Sequence, residues 1–117
     1  MELVQILKAI ADENRLRILN LLRQEPLCVC EIETILEINQ SNVSRHLQKL
    51  LNTHLIARDK KSQWVYYRID DRVHLQYPFI SEIFNGQLDQ IESIRKDQER
   101  FSLYKQNGMN CEQIEQN

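Results

Sequence analysis

The stretch CVCEIETILEINQSNVSRHLQKLL, residues 28–51, decides the fold of this chain. Its first part predicts a short helix ending at Leu36, because isoleucines and leucines recur there at helical spacing. Ile38 and Asn39 then predict a tight turn, and Asn39 or Ser41 is expected to cap a second helix. The apolar residues of that second helix are Val43, Leu47, Leu50 and Leu51. Two helices joined by a tight turn, the second with a polar start, predict a helix-turn-helix.

The flanking segments extend this motif on both sides. Residues 3–10 and 16–22 carry apolar residues at helical spacing, and Asp12 between them is a predicted N-cap. Residues 55–58 and 64–69 are rich in β-branched and aromatic residues, with a polar segment at 59–63 between them. This pattern predicts an antiparallel hairpin, which is the wing of a winged helix-turn-helix.

The C-terminal part is predicted to be one long helix. Pro78 suits a first helical turn, and Gly86 is expected to kink the helix. Its apolar stripe runs from Ile80 to Phe101, which exceeds what a small domain needs. We therefore expect a homodimer through the N- and C-terminal helices, with packing inside one subunit as the alternative. The expected organisation is a mainly α domain with a small hairpin over residues 1–105 and a flexible tail over 106–117.

Charge is distributed unevenly along the chain. The net charge is −2, but residues 40–72 hold seven Lys or Arg against three Asp, for a local charge of +4. The segments on either side are each at −3. A basic middle is what an element that contacts phosphates needs, although an ordinary solvated surface would also carry such charges.

The polar face of the second helix gives the candidate DNA contacts. With Val43 and Leu47 inward, the remaining faces can reach base edges and phosphates of double-stranded DNA. Lys60 and Lys61 in the hairpin would reach the backbone or minor groove. The candidate residues on the helix are Gln40, Ser41, Asn42, Ser44, Arg45 and His46. Other interpretations are a surface His46 that hydrogen-bonds within the fold, a Ser41 that only caps the helix, and hairpin-turn lysines that serve solubility.

Four runs carry a resemblance to a known family. They are Ala11 to Leu19, Leu27 to Glu31, Val43 to Leu47, and Trp64 to Tyr67. Over residues 3–70 the chain resembles the ArsR/SmtB family of metal-responsive repressors. The resemblance implies a homodimeric winged-helix protein that represses a metal-resistance operon and leaves its operator when metal binds. It also implies that residues 41, 42, 44, 45 and 46 lie on the recognition helix.

Cysteine supplies the candidate sensor. Of the three cysteines, Cys28 and Cys30 lie where the first helix of the motif is predicted to start, and a helix N-terminus favours thiolate. Thiolates are preferred by soft ions such as arsenic(III), antimony(III), lead and cadmium. Helical residues two apart point about 200° from each other. We therefore expect that binding one ion through both thiols unwinds the first turn and lowers operator affinity.

The third ligand is left open by the sequence. The run from Leu27 to Glu31 resembles the arsenic- and antimony-responsive branch of the family, which often has a third cysteine where this chain has Glu33. Cys111 is one candidate, from its own or the partner subunit, and an idle tail thiol is the alternative. An external thiol or two-coordinate binding would also serve. His54 and His74 are interpreted as surface residues, and a zinc site with Asp89 and Glu92 lacks a histidine.

The leading prediction is therefore a repressor released by arsenite or antimonite, with no resident cofactor. A redox-sensing repressor using Cys28 and Cys30, or either with Cys111, is the alternative within regulation. A DNA-binding module without an effector is another. We expect no enzyme, since glycine-rich phosphate loops and nucleophile elbows are missing; a thiol oxidoreductase using Cys28 and Cys30 is the alternative from that class. No apolar run of about 18 residues, the length needed to span a membrane, is visible, and no secretory signal is visible either. A cytoplasmic chain without membrane contact is therefore expected.

Overall fold

The computed structural model describes residues 2–111 and Ile114. Seven α-helices and one hairpin follow each other along these residues. In chain order they are α1 (Leu3–Ile10), α2 (Glu13–Leu22), α3 (Val29–Leu36), α4 (Gln40–Asn52), β1 (Ile56–Lys61), β2 (Trp64–Ile69), α5 (Asp71–Gln76), α6 (Phe79–Glu82) and α7 (Glu92–Gln106). This order confirms a mainly α chain with a small β-hairpin and a winged helix-turn-helix made of α3, α4 and the hairpin.

Side-chain caps fix the starts of the helices that matter most. Asp12 accepts a hydrogen bond from the Arg15 amide at 3.0 Å, as predicted. Asn39 accepts one from the Asn42 amide at 2.9 Å. Asn39 is therefore the N-cap of α4, and Ser41 instead donates to the Asn39 side chain at 3.0 Å. A cap of this kind satisfies amide protons that have no partner within the helix.

The hairpin is longer than the sequence indicates. Strand β1 continues to Lys61, which pairs with Trp64, and the turn consists of two residues only. Ser62 in that turn has a φ of 58°, as two-residue hairpin turns require. The polar segment at 59–63 is expected to lie between the two strands, but its residues 59–61 belong to β1, because pairing with β2 overrides their polar character.

A short backbone bridge ties the hairpin to the chain just before α3. The Leu27 amide donates to the Tyr67 carbonyl at 3.0 Å, and the Tyr67 amide donates to the Leu27 carbonyl at 2.8 Å. Leu27 directly precedes Cys28. The start of α3 and the strand β2 are thus hydrogen-bonded to each other.

The single long C-terminal helix predicted from Pro78 onward is wrong. A separate short helix, α5, lies before Pro78. After α6 the helical path is broken at Asn85 and Gly86, where Gly86 has a φ of 97°. That region is favourable for glycine and costly for other residues. A π turn at Ile83–Gln87 and a 3-10 turn at Leu88–Gln90 connect α6 to α7. The expected kink at Gly86 is therefore a complete break.

The core lies between the first four helices, the hairpin and α7. Its fully buried side chains include Ile6, Ile18, Leu19, Leu21, Ile32, Ile35, Leu47, Leu50 and Leu55. No helix in the described part of the chain is both long and apolar enough to cross a membrane.

Helix α7 holds the C-terminal end of α3. The Arg17 guanidinium on α2 donates to both Asp97 oxygens on α7 and to the Leu36 carbonyl at 2.9 Å. Arg100 on α7 donates to the Ile35 carbonyl at 2.9 Å. These bonds satisfy carbonyls at the end of α3 that have no partner within the helix. The tail boundary after residue 105 stays a prediction, although Cys111 beyond it is buried.

Candidate metal centre and nucleic-acid interface

The N-terminus of α3 brings three sulfur atoms together. Cys28 is the N-cap of α3 with extended backbone angles, and its Sγ lies 3.0 Å from Cys30 Sγ. Cys28 also forms a disulfide with Cys111, across 83 residues of sequence and with Cα atoms 6.7 Å apart. The three sulfurs all lie within 4.8 Å of one another. Three soft donors this close, once reduced, could bind one thiophilic ion together.

This geometry corrects the expected unwinding of the first turn. The expectation assumed that both cysteines have helical backbone angles, which would direct their side chains apart. Cys28 precedes the helix instead, with φ −91° and ψ 169°, so its side chain turns back toward Cys30. The two sulfurs therefore meet while α3 stays intact.

A buried carboxylate lies behind the sulfurs. Glu31 accepts hydrogen bonds from the Cys28 amide at 3.1 Å and from the Tyr104 hydroxyl, and its Oε1 lies 3.3 Å from Cys111 Sγ. Burial, and next the bond to Glu31, raise the pKa of Tyr104 well above its usual value. The phenol therefore stays protonated and acts as a donor. Glu31 thus connects the start of α3 with the C-terminal segment that carries Tyr104 and Cys111.

An open pocket of about 220 Å³ leads from solvent to the sulfurs. Half-buried Cys30 and buried Cys28 both line this pocket, and Cys111 is buried. The opposite walls come from the DNA-reading elements, with Gln40 at the start of α4 and Trp64 at the start of β2. A ligand entering here would contact both the cysteines and the two elements predicted to read DNA.

The outer face of α4 carries the predicted DNA contacts. Gln40, Ser41, Ser44 and Arg45 are exposed and Asn42 is half-buried. Arg45 donates to the Asn42 side-chain oxygen at 3.1 Å. Val43 and Leu47 are buried as predicted. Amides, hydroxyls and one guanidinium thus line the solvent side of the helix near its N-terminus.

His46 lies inside the fold. It is only 6% exposed, and its Nδ1 lies 3.2 Å from the Arg15 guanidinium. Arg15 also donates to the carbonyls of Lys8 and Ala9 at the end of α1. Burial lowers the pKa of His46. A neutral ring with Nδ1 as acceptor fits this contact. His46 thus has a hydrogen-bond partner within the fold, but it is buried and not at the surface.

The basic residues of the hairpin differ in their pairing. Arg68 on β2 forms an ion pair with Asp59 at 2.7 Å. Lys60 and Lys61 are exposed, and within the described residues neither forms an ion pair. The Lys61 ammonium lies 5.9 Å from the centre of the Tyr66 ring. These two lysines are thus available for phosphate contacts.

His74 corrects another expectation. It is 8% exposed and its ring lies 5.6 Å from the Phe84 ring, so it belongs to the interior. Burial lowers the pKa of His74. Helix α5 is so short that the spacing of its apolar residues does not show which face is buried. His54 is exposed, as expected.

Comparison with known proteins places this geometry in a family. Residues 12–58 match the family described as "Bacterial regulatory protein, arsR family". The structure of HlyU from Vibrio cholerae is 35% identical with a TM-score of 0.56, over 64% of this chain and 90% of that chain. The chain belongs to the ArsR family. Since this is a family of regulatory proteins, the interpretation as a regulator rather than an enzyme is confirmed.

Other ArsR-family relatives and related structures extend the comparison. The arsenic resistance transcriptional regulator ArsR1 of Pseudomonas putida is 41% identical over 69 residues, 58% of this chain. The arsenical resistance operon repressor of Bacillus subtilis is 41% identical over 68 residues, 57% of this chain. The matches span 54% and 65% of these relatives, less than two thirds of either. A homodimeric winged helix-turn-helix DNA-binding domain from Mycobacterium bovis has a TM-score of 0.61 at 28% identity, over 76% of this chain and 83% of that chain.

Three residues around the candidate sites were missed by sequence reasoning. Glu31 and Tyr104 meet across 73 residues, and Arg15 meets His46 across 31. Glu31, at the third position of α3, is where a capping glutamate is expected, so its bond to the Cys28 amide could have been predicted. The other contacts have no local signal.

Proposed function

We propose that this ArsR-family chain is a transcriptional repressor that binds operator DNA as a homodimer and is released by arsenite or antimonite. Cys28, Cys30 and Cys111 are the proposed ligands. The observation that carries the proposal is the convergence of the three sulfurs within 4.8 Å at the start of α3. The curated relatives named as arsenical resistance regulators support the same effector class.

The proposed binding reaction is an exchange of hydroxyl groups for thiolates. Arsenous acid loses its three hydroxyls as water, each with one thiol proton, and three arsenic–sulfur bonds form. The disulfide between Cys28 and Cys111 must first be reduced. Two molecules of a low-molecular-weight thiol supply the two electrons and two protons, and they end joined to each other as a disulfide.

The proposed DNA interface consists of the exposed face of α4 and the hairpin. Gln40, Ser41, Asn42, Ser44 and Arg45 would contact bases and phosphates, and Lys60 and Lys61 the backbone. His46 supports α4 from within. In a twofold dimer the two α4 helices would meet successive major grooves of an inverted repeat.

The proposed dimer contact uses α1 and α7. Leu3, Val4 and Leu7 of α1 and Leu103 of α7 are between 42% and 58% exposed. Apolar side chains grouped on one helix face are candidates for a protein contact. The Mycobacterium bovis domain, which is homodimeric, supports a dimer. Sedimentation of the native chain and a Leu7→Lys variant would test the contact through α1 and α7.

The proposed coupling passes through contacts between the sensor and the DNA-reading elements. The pocket beside Cys30 shares Gln40 with α4 and Trp64 with the hairpin, and Leu27 is bridged to Tyr67. A metalloid that draws the three sulfurs onto one centre would displace these neighbours. A coupling of about 1–3 kcal/mol is typical of allosteric proteins.

The deciding experiment is a fluorescence-anisotropy titration on an inverted-repeat operator selected from random DNA. Arsenite, antimonite, lead, cadmium and zinc are added in turn to the reduced protein. We expect release by arsenite and antimonite, and loss of that response in Cys28→Ser and Cys30→Ser. Undiminished release from both variants would reject the proposal.

A redox-sensing repressor is the second candidate, favoured by the disulfide between Cys28 and Cys111. In this mechanism two thiols are oxidised by a peroxide, which is reduced to two waters or to water and an alcohol. Operator titrations of reduced and peroxide-treated protein separate the two candidates. A redox sensor loses DNA on oxidation and regains it with a thiol reductant, without any metalloid.

A further inference from the structure

The buried carboxylate of Glu31 makes contacts beyond its cap on the start of α3. It is 5% exposed, and no ion pair to it occurs among the described residues. Burying a carboxylate without a cation is unfavourable unless hydrogen bonds compensate for lost water. Here the compensation comes from the Cys28 amide and the Tyr104 hydroxyl, with Cys111 Sγ as the third neighbour.

These neighbours are the two buried cysteines and a residue of α7. Cys111 is 1% exposed and lies seven residues after Tyr104, beyond the end of α7. Glu31 binds Tyr104 and lies 3.3 Å from Cys111 Sγ. It therefore holds the C-terminal segment against the start of α3, within reach of the sulfurs.

We propose that Glu31 and Tyr104 are positioning residues that place Cys111 as the third thiol of the site and so set its coordination number at three. This inference rests on the proposed function. Without the pair, Cys28 and Cys30 would remain as a two-thiol site. Position 33 of this chain is a glutamate and supplies no third thiol within α3. By placing Cys111 at the site, Glu31 provides a third thiol from the C-terminal segment instead.

The positioning role predicts a selective loss. Arsenite can form three bonds to sulfur, whereas phenylarsine oxide forms two with loss of one water, because its carbon–arsenic bond persists. Losing a residue that orients a metal ligand weakens metal binding by about 10–100-fold. We therefore expect Glu31→Gln and Tyr104→Phe to weaken arsenite binding by this factor and to leave phenylarsine oxide binding unchanged.

The experiment compares both ligands on the full reduced chain. Binding is followed by near-ultraviolet absorbance of the arsenic–sulfur bonds, after circular dichroism has shown that each variant is folded. Glu99→Gln, at an exposed glutamate of α7, is the matched control and should bind both ligands as the native chain does. Tyr104→Phe removes only a hydroxyl, so it keeps the test decisive if Glu31→Gln does not fold.

A double-mutant cycle distinguishes positioning from general support. Cys111→Ser should lose as much arsenite affinity as Glu31→Gln, and Glu31→Gln in the Cys111→Ser background should cause no further loss. Equal losses for both ligands in Glu31→Gln, or additive losses in the cycle, would overturn the inference. Arsenite binding by Cys111→Ser with the native affinity would also overturn the inference, but it would leave the proposed function of metalloid sensing unaffected. If Cys28→Ser also binds arsenite normally, the proposed function fails.

Discussion

The Arg17 guanidinium and the Asp97 carboxylate form a two-point ion pair between α2 and α7, with nitrogen–oxygen distances of 2.8 and 2.9 Å. The Asp97 side chain has no exposed surface. Removing one member of such a pair leaves the other buried and uncompensated. The pair also fixes Arg17 where it caps the Leu36 carbonyl of α3.

Asp97→Ala is therefore expected to lower the free energy of unfolding by about 3–5 kcal/mol. The measurement is urea denaturation followed by circular dichroism. Glu92→Ala, which breaks the exposed pair with Lys96 on the same helix, is the control and should change stability by at most about 1 kcal/mol. Similar losses in the two variants would contradict the assignment of Asp97 as a buried anchor.

Stability should depend on pH through His74. Burial lowers its pKa in the folded state, whereas the pKa of an unfolded histidine is about 6.5. The contribution of neutral His74 is therefore complete above that value and is lost as the pH falls toward the lower folded pKa. His46, whose pKa is lowered by burial too, acts in the same direction.

We expect the free energy of unfolding to fall less steeply in His74→Gln than in the native chain as the pH decreases below about 6.5. Urea titrations across this range measure the slope. His54→Gln, at an exposed position, should keep the native slope. A native slope in His74→Gln would show that His74 does not contribute.

Arg45 is expected to contribute sequence discrimination. It lies exposed on α4, beside Asn42, and a guanidinium can bind guanine through two hydrogen bonds. Arg45→Ala should weaken operator binding by about 1–3 kcal/mol and relax the preference at one base pair. Competition with single-base operator variants measures this; equal weakening on all of them would assign Arg45 to the phosphates.

Lys60 and Lys61 are expected to contribute affinity without sequence choice. Each lysine replaced by alanine should reduce the salt dependence of operator binding by about one unit of log–log slope. The affinity for operator and random DNA should fall together. Lys96→Ala, an exposed lysine on α7, is the matched control, and an equal effect there would indicate a nonspecific charge effect.

The cap of α4 should matter for both stability and DNA binding. Asn39→Ala removes the acceptor of the Asn42 amide, which typically costs about 1 kcal/mol. Asn39→Ser keeps a capping oxygen and should restore most of that loss. Thermal unfolding and operator titrations of both variants check this. Equal stability and equal operator affinity of Asn39→Ala and Asn39→Ser would show that the cap is dispensable.

Local signals account for most of what the sequence could predict. Helices α1 to α4 have clear apolar spacing, Asp12 and Asn39 are favourable caps, and β2 is rich in aromatic and β-branched residues. Helix α5 is too short for its periodicity to be recognised. The break before α7 depends on the backbone at Asn85 and Gly86, and of these two residues only Gly86 indicated an interruption of the helix.

The candidate metal centre was predictable in composition but not in geometry. Cys28 and Cys30 stand out at a helix start, yet the assumption of helical angles at Cys28 predicted diverging side chains. An N-cap residue has extended angles, and this difference brings the sulfurs to 3.0 Å. The contacts of Cys111 and Tyr104 with Glu31 span 80 and 73 residues, which no local pattern encodes.

The bridge between Leu27 and Tyr67 has an evolutionary consequence. Both of its hydrogen bonds join main-chain atoms, so side chains at these two positions can change while the bonds persist. Proline is the exception at either position, because it has no amide proton to donate. Relatives with other residues in place of the cysteines beside this bridge can therefore inherit the same backbone link between the start of α3 and the wing.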